Sequence, residues 1–506
     1  MYSATYLARH FAKHLALLAG LCALRLHAQS TAVLTAGDVQ AVVAAAAASV
    51  NSEALDIAVT DRQGNVLAVF HKNAVPAATA ANFGVQVNTD DVAIGLARTA
   101  AFFSNNQAPI SSRTVRFISS KNFPPTIYYT SNGPLYGIEN TNRGCSLNVN
   151  FLSGKALPAA TASDGVSPGT GVVTGKQDLT DSNPNAVNPG GVPLFKNSVL
   201  VGGVGVVGPS AAIAEFAAFS GAQGAGLGAN PAAPGVVVIN GIALPYVNQK
   251  TRPAGSGAGV FEGSFVSGPV DSPGPPPEGY LAGSAAGPLG GLSPDDVDGI
   301  IQAVVNEANQ TRAVLRLPDG SRARFAISVA DLDGNIVGLF RMPDSTMFSV
   351  DVAVAKSRNV IYFSGGSSYG PRDAADLPGV PAAEAVTNRT IGFGAQPLYP
   401  PGIEYTAPGP FFNLFTYDVQ NPCTQGRQPT NPNQNGVVFF PGSAPLYRNG
   451  VLVGGLGVSG DGVDQDDFVA AAGAANFLAP AAIEADEIVL SGERLPYWKF
   501  PRNPTD

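Results

Sequence analysis

The chain has 506 residues, which is enough for two well-buried cores, and 45% of them are hydrophobic. This hydrophobic fraction excludes a disordered protein, even though the chain holds 59 Gly and 41 Pro. The formal net charge is −8, and no run or stripe of basic residues occurs, so the sequence excludes a nucleic-acid-binding protein.

The N-terminus has the pattern of an export signal. Arg9 and Lys13 precede a short apolar stretch at 15–24, and small residues near Ala28 offer a cleavage point. The apolar stretch is too short to span a bilayer, and the rest of the chain has no apolar run of spanning length. We therefore expect a signal peptide over 1–28, no membrane span, and a periplasmic or extracellular protein.

The next elements are predicted from capping and turn signals. Thr35 begins an alanine-rich helix, and two strands near 55–61 and 65–71 are joined by a turn that contains Gly64. A second helix is predicted near 90–104. A Pro/Asn/Gly-rich insertion at 119–190 follows, and then a hairpin, a third helix and a last strand near 236–239.

The same elements return in the same order after residue 291. PLFKNSVLVGGVGV at 193–206 returns as PLYRNGVLVGGLGV at 445–458, and AVTDRQGNVLAVF at 58–70 returns as SVADLDGNIVGLF at 328–340. Ordered self-similarity indicates an internal duplication. We predict a first domain over 32–249, a Pro/Gly-rich linker over 250–291 and a second domain over 292–506. The second domain also has a long insertion, at 366–444.

The glycine pattern Gly-Gly-x-Gly occurs at 202–205 and at 454–457. A dinucleotide-binding fingerprint needs a third glycine that opens a helix directly after a parallel strand, and this is missing. The glycines lie inside a predicted strand, which favours close packing of a helix or a neighbouring subunit.

Most of both halves, outside the linker and the insertions, resembles a known family, and the pattern is complete in the second half. Its Asp-x-Asp-Gly-Asn hairpin, the helix DVAVAKSR at 351–358 and the stretch GVSGDGVDQDD at 457–467 are similar to the GlcG/HbpS haem-binding domain, which also occurs at the C-terminus of PduO-type proteins. The first half departs from the pattern, since Leu96 replaces Lys356 and the acidic cluster is absent up to Ile213. The resemblance implies two tandem α/β (α+β) profilin-like domains, each an antiparallel sheet flanked by helices, packed as a pseudo-dimer. It also implies haem as a cofactor and self-association as a homo-oligomer.

Candidate ligand-binding residues lie on the helix after each hairpin. Asp351 and Arg358 share one helical face, and Asp91 and Arg98 repeat this spacing. Such a face suits a ligand carboxylate held by a bidentate arginine, or a structural ion pair with an acid at the helix N-terminus. Lys356 and Ser459 occur only in the second half. The second half is therefore predicted to carry the ligand.

Candidate metal ligands are few. His71 follows the first hairpin and is a candidate axial haem ligand or an exposed structural histidine, with Met342 and Met347 as alternatives for the haem. Glu484 and Glu487 suit a surface iron site or a solvated pair. Once the signal peptide is removed, two cysteines remain, one in each insertion, and they form either one bridge between the halves or two free thiols; they are Cys145 and Cys423.

The sequence thus favours an exported, haem-binding-like protein whose partner is a small-molecule ligand, either a tetrapyrrole or a similar small anion. No Ser/His/Asp or Cys/His set repeats in both halves, because the second half lacks histidine. Two alternatives stay open. One is a structural or interaction module that uses the insertions as a partner surface, and the other is an enzyme acting on a small carboxylate.

Overall fold

The computed structural model describes residues 32–141, 145, 147, 172–173, 188–229 and 237–505. The predicted signal peptide lies outside these residues. Helix α1 begins at Thr35, whose hydroxyl accepts a hydrogen bond from the backbone N–H of Asp38, while the Asp38 carboxylate accepts one from the Thr35 N–H. Ser293 and Asp296 make the same reciprocal cap in the second half, with Pro294 in the first turn. The helix start predicted at Thr35 is confirmed, and the first helix of the second half begins in the same way.

The first half has four helices and eight strands among its described residues up to 243. The helices are α1 (Ala36–Ala48), α2 (Thr89–Phe103), α3 (Ser112–Ile118) and α4 (Ala211–Gly224). The strands are β1 (Asp56–Asp61), β2 (Val66–His71), β3 (Ala78–Ala80), β4 (Gln86–Asn88), β5 (Gly191–Lys196), β6 (Val199–Val207), β7 (Val238–Ile239) and β8 (Ile242–Ala243).

The predicted linker contributes two further strands, β9 (Ser264–Ser267) and β10 (Gly279–Ala282). The second-half helices are α5 (Pro294–Ala308), α6 (Phe348–Phe363), α7 (Asn388–Gly394), α8 (Phe412–Gln420) and α9 (Val463–Gly473). Its strands are β11 (Phe325–Ala330), β12 (Ile336–Arg341), β13 (Ser443–Arg448), β14 (Val451–Gly460), β15 (Val489–Leu490) and β16 (Glu493–Arg494).

Two five-stranded antiparallel sheets organise these elements. The first has the order β5-β6-β1-β2-β9, and the second has the order β13-β14-β11-β12-β10, so both follow the same path. The edge strands β9 and β10 come from the segment that the sequence predicted to be a plain linker. A short strand among prolines and glycines gives too weak an alternation to be recognised without its partner.

The repeated glycines explain how the long helices pack. A Cβ at Gly205 would lie 1.9 Å from the carbonyl oxygen of Ala93 in α2, and one at Gly457 would lie 2.0 Å from that of Ala353 in α6. Only glycine permits such an approach of helix backbone to strand. The prediction that these glycines serve close helix packing is therefore confirmed.

The opposite face of each sheet carries a pair of helices. In the second half, Ile327 and Leu456 pack with Ile300 and Val304 of α5 and with Val469 of α9. The alternate residues of the same strands face α6, as side chains in a strand must. Each sheet is thus buried on both faces, as in a mixed α/β fold. No described helix is long and apolar enough to cross a membrane.

The two halves contact each other closely within one unit, Val33–Asp506. The rings of Phe103 and Phe348 stack with centroids 4.1 Å apart, and the backbone N–H of Met347 donates to the Phe102 carbonyl. Cys145 and Cys423 are disulfide-bonded, with Cα atoms 5.4 Å apart. Of the two states left open for these cysteines, the structure has the bridge.

Candidate functional site

One arginine in each half ties the long helix to the hairpin turn. The Nε of Arg98 donates to the carbonyl of Gly64 at 3.0 Å, and the Nε of Arg358 donates to that of Gly334, also at 3.0 Å. Both glycines have a positive φ, 87° and 75°, which suits them to the tight turn. This shared contact is structural, so any ligand role depends on what else each guanidinium meets.

Among the described residues, the positive charge of Arg358 is contacted only by neutral hydrogen-bond acceptors. It is 1% exposed, and its two terminal nitrogens donate to the Asn435 side-chain oxygen at 3.0 Å and to the Leu147 carbonyl at 2.6 Å. Burial lowers the pKa of Arg358 to about 9, and no carboxylate among the described residues counters that effect. The group remains protonated at neutral pH, so a buried positive charge is left without a counter-charge.

Arg98 has a different environment. Burial lowers its pKa to about 10, but Asp91, Asp61 and Asp351 all favour its charged form. Asp351 belongs to the second half, so the structure brings it to Arg98 rather than to Arg358. Burial raises the pKa of Asp351 well above its ordinary value, and Arg98 opposes that rise. Asp91, Arg98 and Asp351 therefore form one buried electrostatic group between the halves.

A partly open pocket of about 190 Å³ lies against Arg358. The hairpin turn at Asp333 and Gly334, helix α6 and the second insertion form its walls. The insertion provides four side-chain amides, from Gln425, Gln428, Asn431 and Asn433. Asp333 is the one carboxylate among the residues that line it. The pocket thus combines a buried cation, amide donors and one acid.

Lys356 lies away from this pocket. Its Nζ donates to the Val458 carbonyl at 2.7 Å and to the Asp466 carboxylate at 3.0 Å, and it lies 5.0 Å from the centroid of the Phe440 ring. Both charged groups are buried. Burial raises the pKa of Asp466 to about 7 although Lys356 favours the carboxylate, and burial lowers the pKa of Lys356. The structure therefore separates Lys356 from Arg358 and uses it in an internal ion pair.

The acidic cluster after β14 also has a counterpart that the sequence comparison missed. Arg389 pairs with Asp467, and the Arg113 guanidinium holds both oxygens of Glu215, at 2.6 and 2.9 Å. The expectation that the first half has lost its acidic cluster altogether is therefore corrected, because Glu215 keeps one member of it. Extending the alignment of the halves two residues beyond Ile213 matches Glu215 to Asp467.

Ser459 takes part in a buried chain of hydroxyl groups. Its Oγ donates to Ser349 Oγ at 3.2 Å, and Ser349 Oγ lies 2.7 Å from the hydroxyl of Thr346. Ser459 is 1% exposed and is not among the residues that line the pocket. Of the sequence-predicted ligand residues, Arg358 alone therefore lines this pocket.

His71 is bound to a carboxylate. Its Nε2 lies 2.7 Å from Asp90 Oδ1 and 3.7 Å from Asp56 Oδ2, and its side chain is 30% exposed. The alternative haem ligands Met342 and Met347 are buried in hydrophobic clusters. Asp56 was not recognised in the sequence, where a single acid at the start of a strand gives no signal.

Glu484 and Glu487 lie near the C-terminus, on short 3₁₀ turns. Glu487 is exposed and its Oε1 lies 3.6 Å from an Arg494 nitrogen, while Glu484 is half-buried. Burial, then Asp486 and Glu487, raise the pKa of Glu484. The two glutamates belong to no group of three or more metal-ligand side chains within the described part of the chain.

Comparison with known proteins finds one family model that matches most of the second half. Residues 292–475, just over a third of the chain, match the family model described as haem degrading protein HbpS-like. A crystal structure of a PduOC–haem complex is 22% identical over 37% of this chain and 94% of its own, with a TM-score of 0.24. The DUF336 protein ORFY of Klebsiella pneumoniae is 18% identical over 37% of this chain and 90% of its own, also with a TM-score of 0.24. The curated proteins gave no match. The chain therefore contains an HbpS-like region within its second half.

Proposed function

We propose that this protein binds a small anionic ligand in the Arg358 pocket, and that a haem-like tetrapyrrole, held through a propionate, is the ligand class favoured by the HbpS-like match. One observation carries the proposal. The Arg358 guanidinium is buried against a pocket and meets no carboxylate among the described residues, so a ligand anion would supply the missing counter-charge.

The dimensions of the pocket limit how a tetrapyrrole would sit. The space of about 190 Å³ includes open solvent, so the pocket is a shallow recess and not one of the roughly 300–1,000 Å³ cavities that enclose a drug-sized ligand. The described residues therefore do not enclose a macrocycle, which would lie outside the pocket against the second insertion with a propionate directed at Arg358. With Met342 and Met347 in the core and His71 Nε2 engaged by Asp90, the described part of the chain offers no histidine or methionine as an axial ligand at this pocket.

A charge-selective pair of variants tests the ligand site. Arg358→Gln and Arg358→Lys both lose the contact with the Gly334 turn, but only the first loses the positive charge. Haem titrated into purified full-length protein should shift its Soret band, and Arg358→Gln should weaken the apparent affinity at least about tenfold relative to Arg358→Lys. Arg98→Gln is the matched control, since it breaks the equivalent turn contact in the first half.

Two further measurements sharpen this test. Asp333→Asn removes the acid that lines the pocket and should tighten haem binding a few-fold at low salt. Haem dimethyl ester, whose propionates are uncharged, should bind about as weakly as haem binds to Arg358→Gln. A wild-type protein that gives no saturable Soret shift at micromolar haem would refute the proposed ligand. Equal affinities for Arg358→Gln and Arg358→Lys would refute the proposed site.

We further propose that the protein is exported. The disulfide between Cys145 and Cys423 supports this proposal, because such bonds persist in oxidising compartments. Fractionation of cells that express the full chain should recover it in the periplasm or medium, with a mature N-terminus near residue 29. Recovery of uncleaved protein in the cytosol alone would contradict export.

A second candidate function is self-association through the insertions. Phe-Pro-Pro-Thr-Ile-Tyr-Tyr at 123–129 and Tyr-Pro-Pro-Gly-Ile-Glu-Tyr at 399–405 are similar, and they expose large apolar side chains. Tyr129 and Tyr405 are 65% and 88% exposed, and their rings lie 6.4 Å apart. An exposed patch of this kind suits an interface with a second copy of the chain. Light scattering should give a dimer or larger species that Tyr129→Ser with Tyr405→Ser converts to a monomer; an unchanged mass would exclude this interface.

A further inference from the structure

A histidine and two carboxylates converge at one edge of the first sheet. Asp56 begins β1 and pairs across the ladder with His71, which ends β2. Asp90 lies in the first turn of α2, and the Asn88 cap accepts a hydrogen bond from its backbone N–H. One ligand atom from each of these residues lies within 4.8 Å of the other two. Two strand ends and one helix start therefore bring together three side chains that are distant in sequence.

The spacing of these atoms is close to that of a metal site. His71 Nε2 lies 2.7 Å from Asp90 Oδ1 and 3.7 Å from Asp56 Oδ2. Ligands about 2.1 Å from a tetrahedral metal lie roughly 3.4 Å from one another. The Asp56 and Asp90 oxygens lie within 4.8 Å of each other, so shifts of roughly 1–1.5 Å in the His71 and Asp90 side chains would reach that geometry, and side-chain rotations supply shifts of this size.

Of these three residues, Asp56 has a buried carboxylate that the fold of the sheet does not require. It is fully buried, and neither of its carboxylate oxygens makes a hydrogen bond of ordinary geometry, although the Ile57 backbone N–H and the Asp90 carboxyl lie nearby. Burial, followed by the neighbouring charge of Asp90, raises its pKa well above the ordinary value. A buried carboxylate beside a second one is costly unless a proton or a cation lies between them. His71 and Asp90 are 30% and 16% exposed, so a cation has a route from solvent.

We propose that Asp56, His71 and Asp90 bind one divalent transition-metal cation. An imidazole nitrogen with two carboxylate oxygens suits Zn²⁺, Co²⁺, Mn²⁺ or Fe²⁺, whereas Mg²⁺ and Ca²⁺ prefer oxygen ligands alone. The two carboxylates match the charge of the cation. Three protein ligands also leave at least one coordination position for water or a small ligand, as in catalytic rather than structural zinc sites.

The second half shows that the fold does not require this cluster. Asp56 pairs with His71 on one side and with Val207 on the other, and the matching ladder position in the second sheet is Ala326, between Arg341 and Ser459. The site is therefore specific to the first half and separate from the Arg358 pocket. Since Ala326 occupies the equivalent position, Asp56→Ala is a substitution that this type of sheet accommodates.

Titration of the untagged full chain with Co²⁺ and Zn²⁺ tests the proposal. Wild-type protein should bind one equivalent more than Asp56→Ala, with Co²⁺ giving ligand-field absorption that the variant lacks. Zn²⁺ should also raise the melting temperature of the wild type and leave that of Asp56→Ala unchanged. Mg²⁺ should do neither. Glu53→Gln is the matched control, because Glu53 is a neighbouring carboxylate that contacts Lys72 outside the cluster.

Three outcomes would overturn the metal site. The first is equal stoichiometry for the wild type and Asp56→Ala, and the second is equal loss of binding in Glu53→Gln and Asp56→Ala. The third is an increase in stability on Asp56→Ala in a protein that binds no Co²⁺ or Zn²⁺, since a shared proton would then account for the buried carboxylates. A His71→Gln variant supplies an independent reading, because it should lose the same equivalent while both carboxylates remain.

Discussion

Replacement of Lys356 by leucine should destabilise the protein far more than replacement of an exposed lysine. Lys356 and Asp466 are an ion pair inside the second half, with N–O distance 3.0 Å and both side chains buried. The first half has apolar residues at the two equivalent positions. Gly205 packs against Ala93 of α2, and Gly457 packs against Ala353 of α6. Since Ala93 and Ala353 are equivalent, Leu96, three residues after Ala93, occupies the position of Lys356. The Arg113–Glu215 and Arg389–Asp467 pairs likewise place Ala214 at the position of Asp466.

The expected loss follows from the carboxylate that is left behind. Breaking a buried pair by removing one partner costs about 3–5 kcal/mol, because the remaining group stays desolvated. Lys356→Leu with Asp466→Ala removes both groups and reproduces the residues of the first half. The double variant should therefore recover about 2 kcal/mol or more of the loss, since apolar replacement of a buried pair is often close to neutral. The partly exposed pair Lys196–Asp38 is the control, and Lys196→Leu should cost less than about 1 kcal/mol.

The pH dependence has a definite sign. The pKa of Asp466 in the folded protein is about 7, above the ordinary value of 3.8. Between pH 3.8 and pH 7 the Asp466 carboxyl is therefore protonated in the native state and ionised in the unfolded state. The stability that Asp466 contributes is complete below pH ~4 and declines as pH rises towards 7. Without Lys356 the pKa rises further, so Lys356→Leu should lose more stability at pH 8 than at pH 5. The double variant lacks the group and should not show this difference.

Urea unfolding followed by circular dichroism at the two pH values measures these free energies. Equal destabilisation of the single and double variants, with no dependence on pH, would refute the reasoning. The loss would then reflect packing of the lysine stem rather than the uncompensated carboxylate. Equal effects of Lys356→Leu and Lys196→Leu would show that the buried pair is no stronger than a partly exposed one.

Three other variants have predicted effects on the free energy of unfolding, measured in the same way. Gly457→Ala should cost more than about 3 kcal/mol, because its Cβ would lie 2.0 Å from the Ala353 carbonyl, and a loss below about 1 kcal/mol would contradict the close packing. Gly299→Ala, within α5 and with nothing within 4 Å of its new Cβ, should instead stabilise by about 0.5–1 kcal/mol. Cys145→Ser with Cys423→Ser removes a disulfide between residues 278 apart in sequence and should lower the free energy of unfolding by about 2–5 kcal/mol. The wild type under reducing conditions should be as stable as this variant.

Local signals in the sequence predicted the local structure. Some signals act over only a few residues, namely the capping residues, the glycine turns of both hairpins and the strand glycines. Each of them can therefore be recognised within one short segment of the sequence. The family resemblance of the second half also rested on such stretches. What the sequence did not reveal were the partners of the charged residues, because those partners come from segments far away in the chain.

Arg358 and Arg98 illustrate this limit. Both occupy the same helical position and both donate to a glycine carbonyl of the turn. Their charges nevertheless differ in environment, since Arg98 faces three carboxylates and Arg358 faces the Leu147 carbonyl and the Asn435 amide, which come from the two insertions. Insertions without periodicity give no basis for predicting such contacts.

The polar positions therefore differ between the halves while the packing positions agree. Both halves keep the strand glycines, the arginine–turn contact and one buried arginine–carboxylate pair, and these maintain the antiparallel sheet under its long helix. Among the described residues, the Asp56 cluster lies in the first half, and the arginine that lines a pocket without a carboxylate partner, Arg358, lies in the second half. Because packing tolerates either choice at such positions, an unsatisfied charge there is evidence of selection for binding rather than for stability. On this difference we propose two separate sites, one for a cation and one for an anion, and we expect that each can be removed without the other.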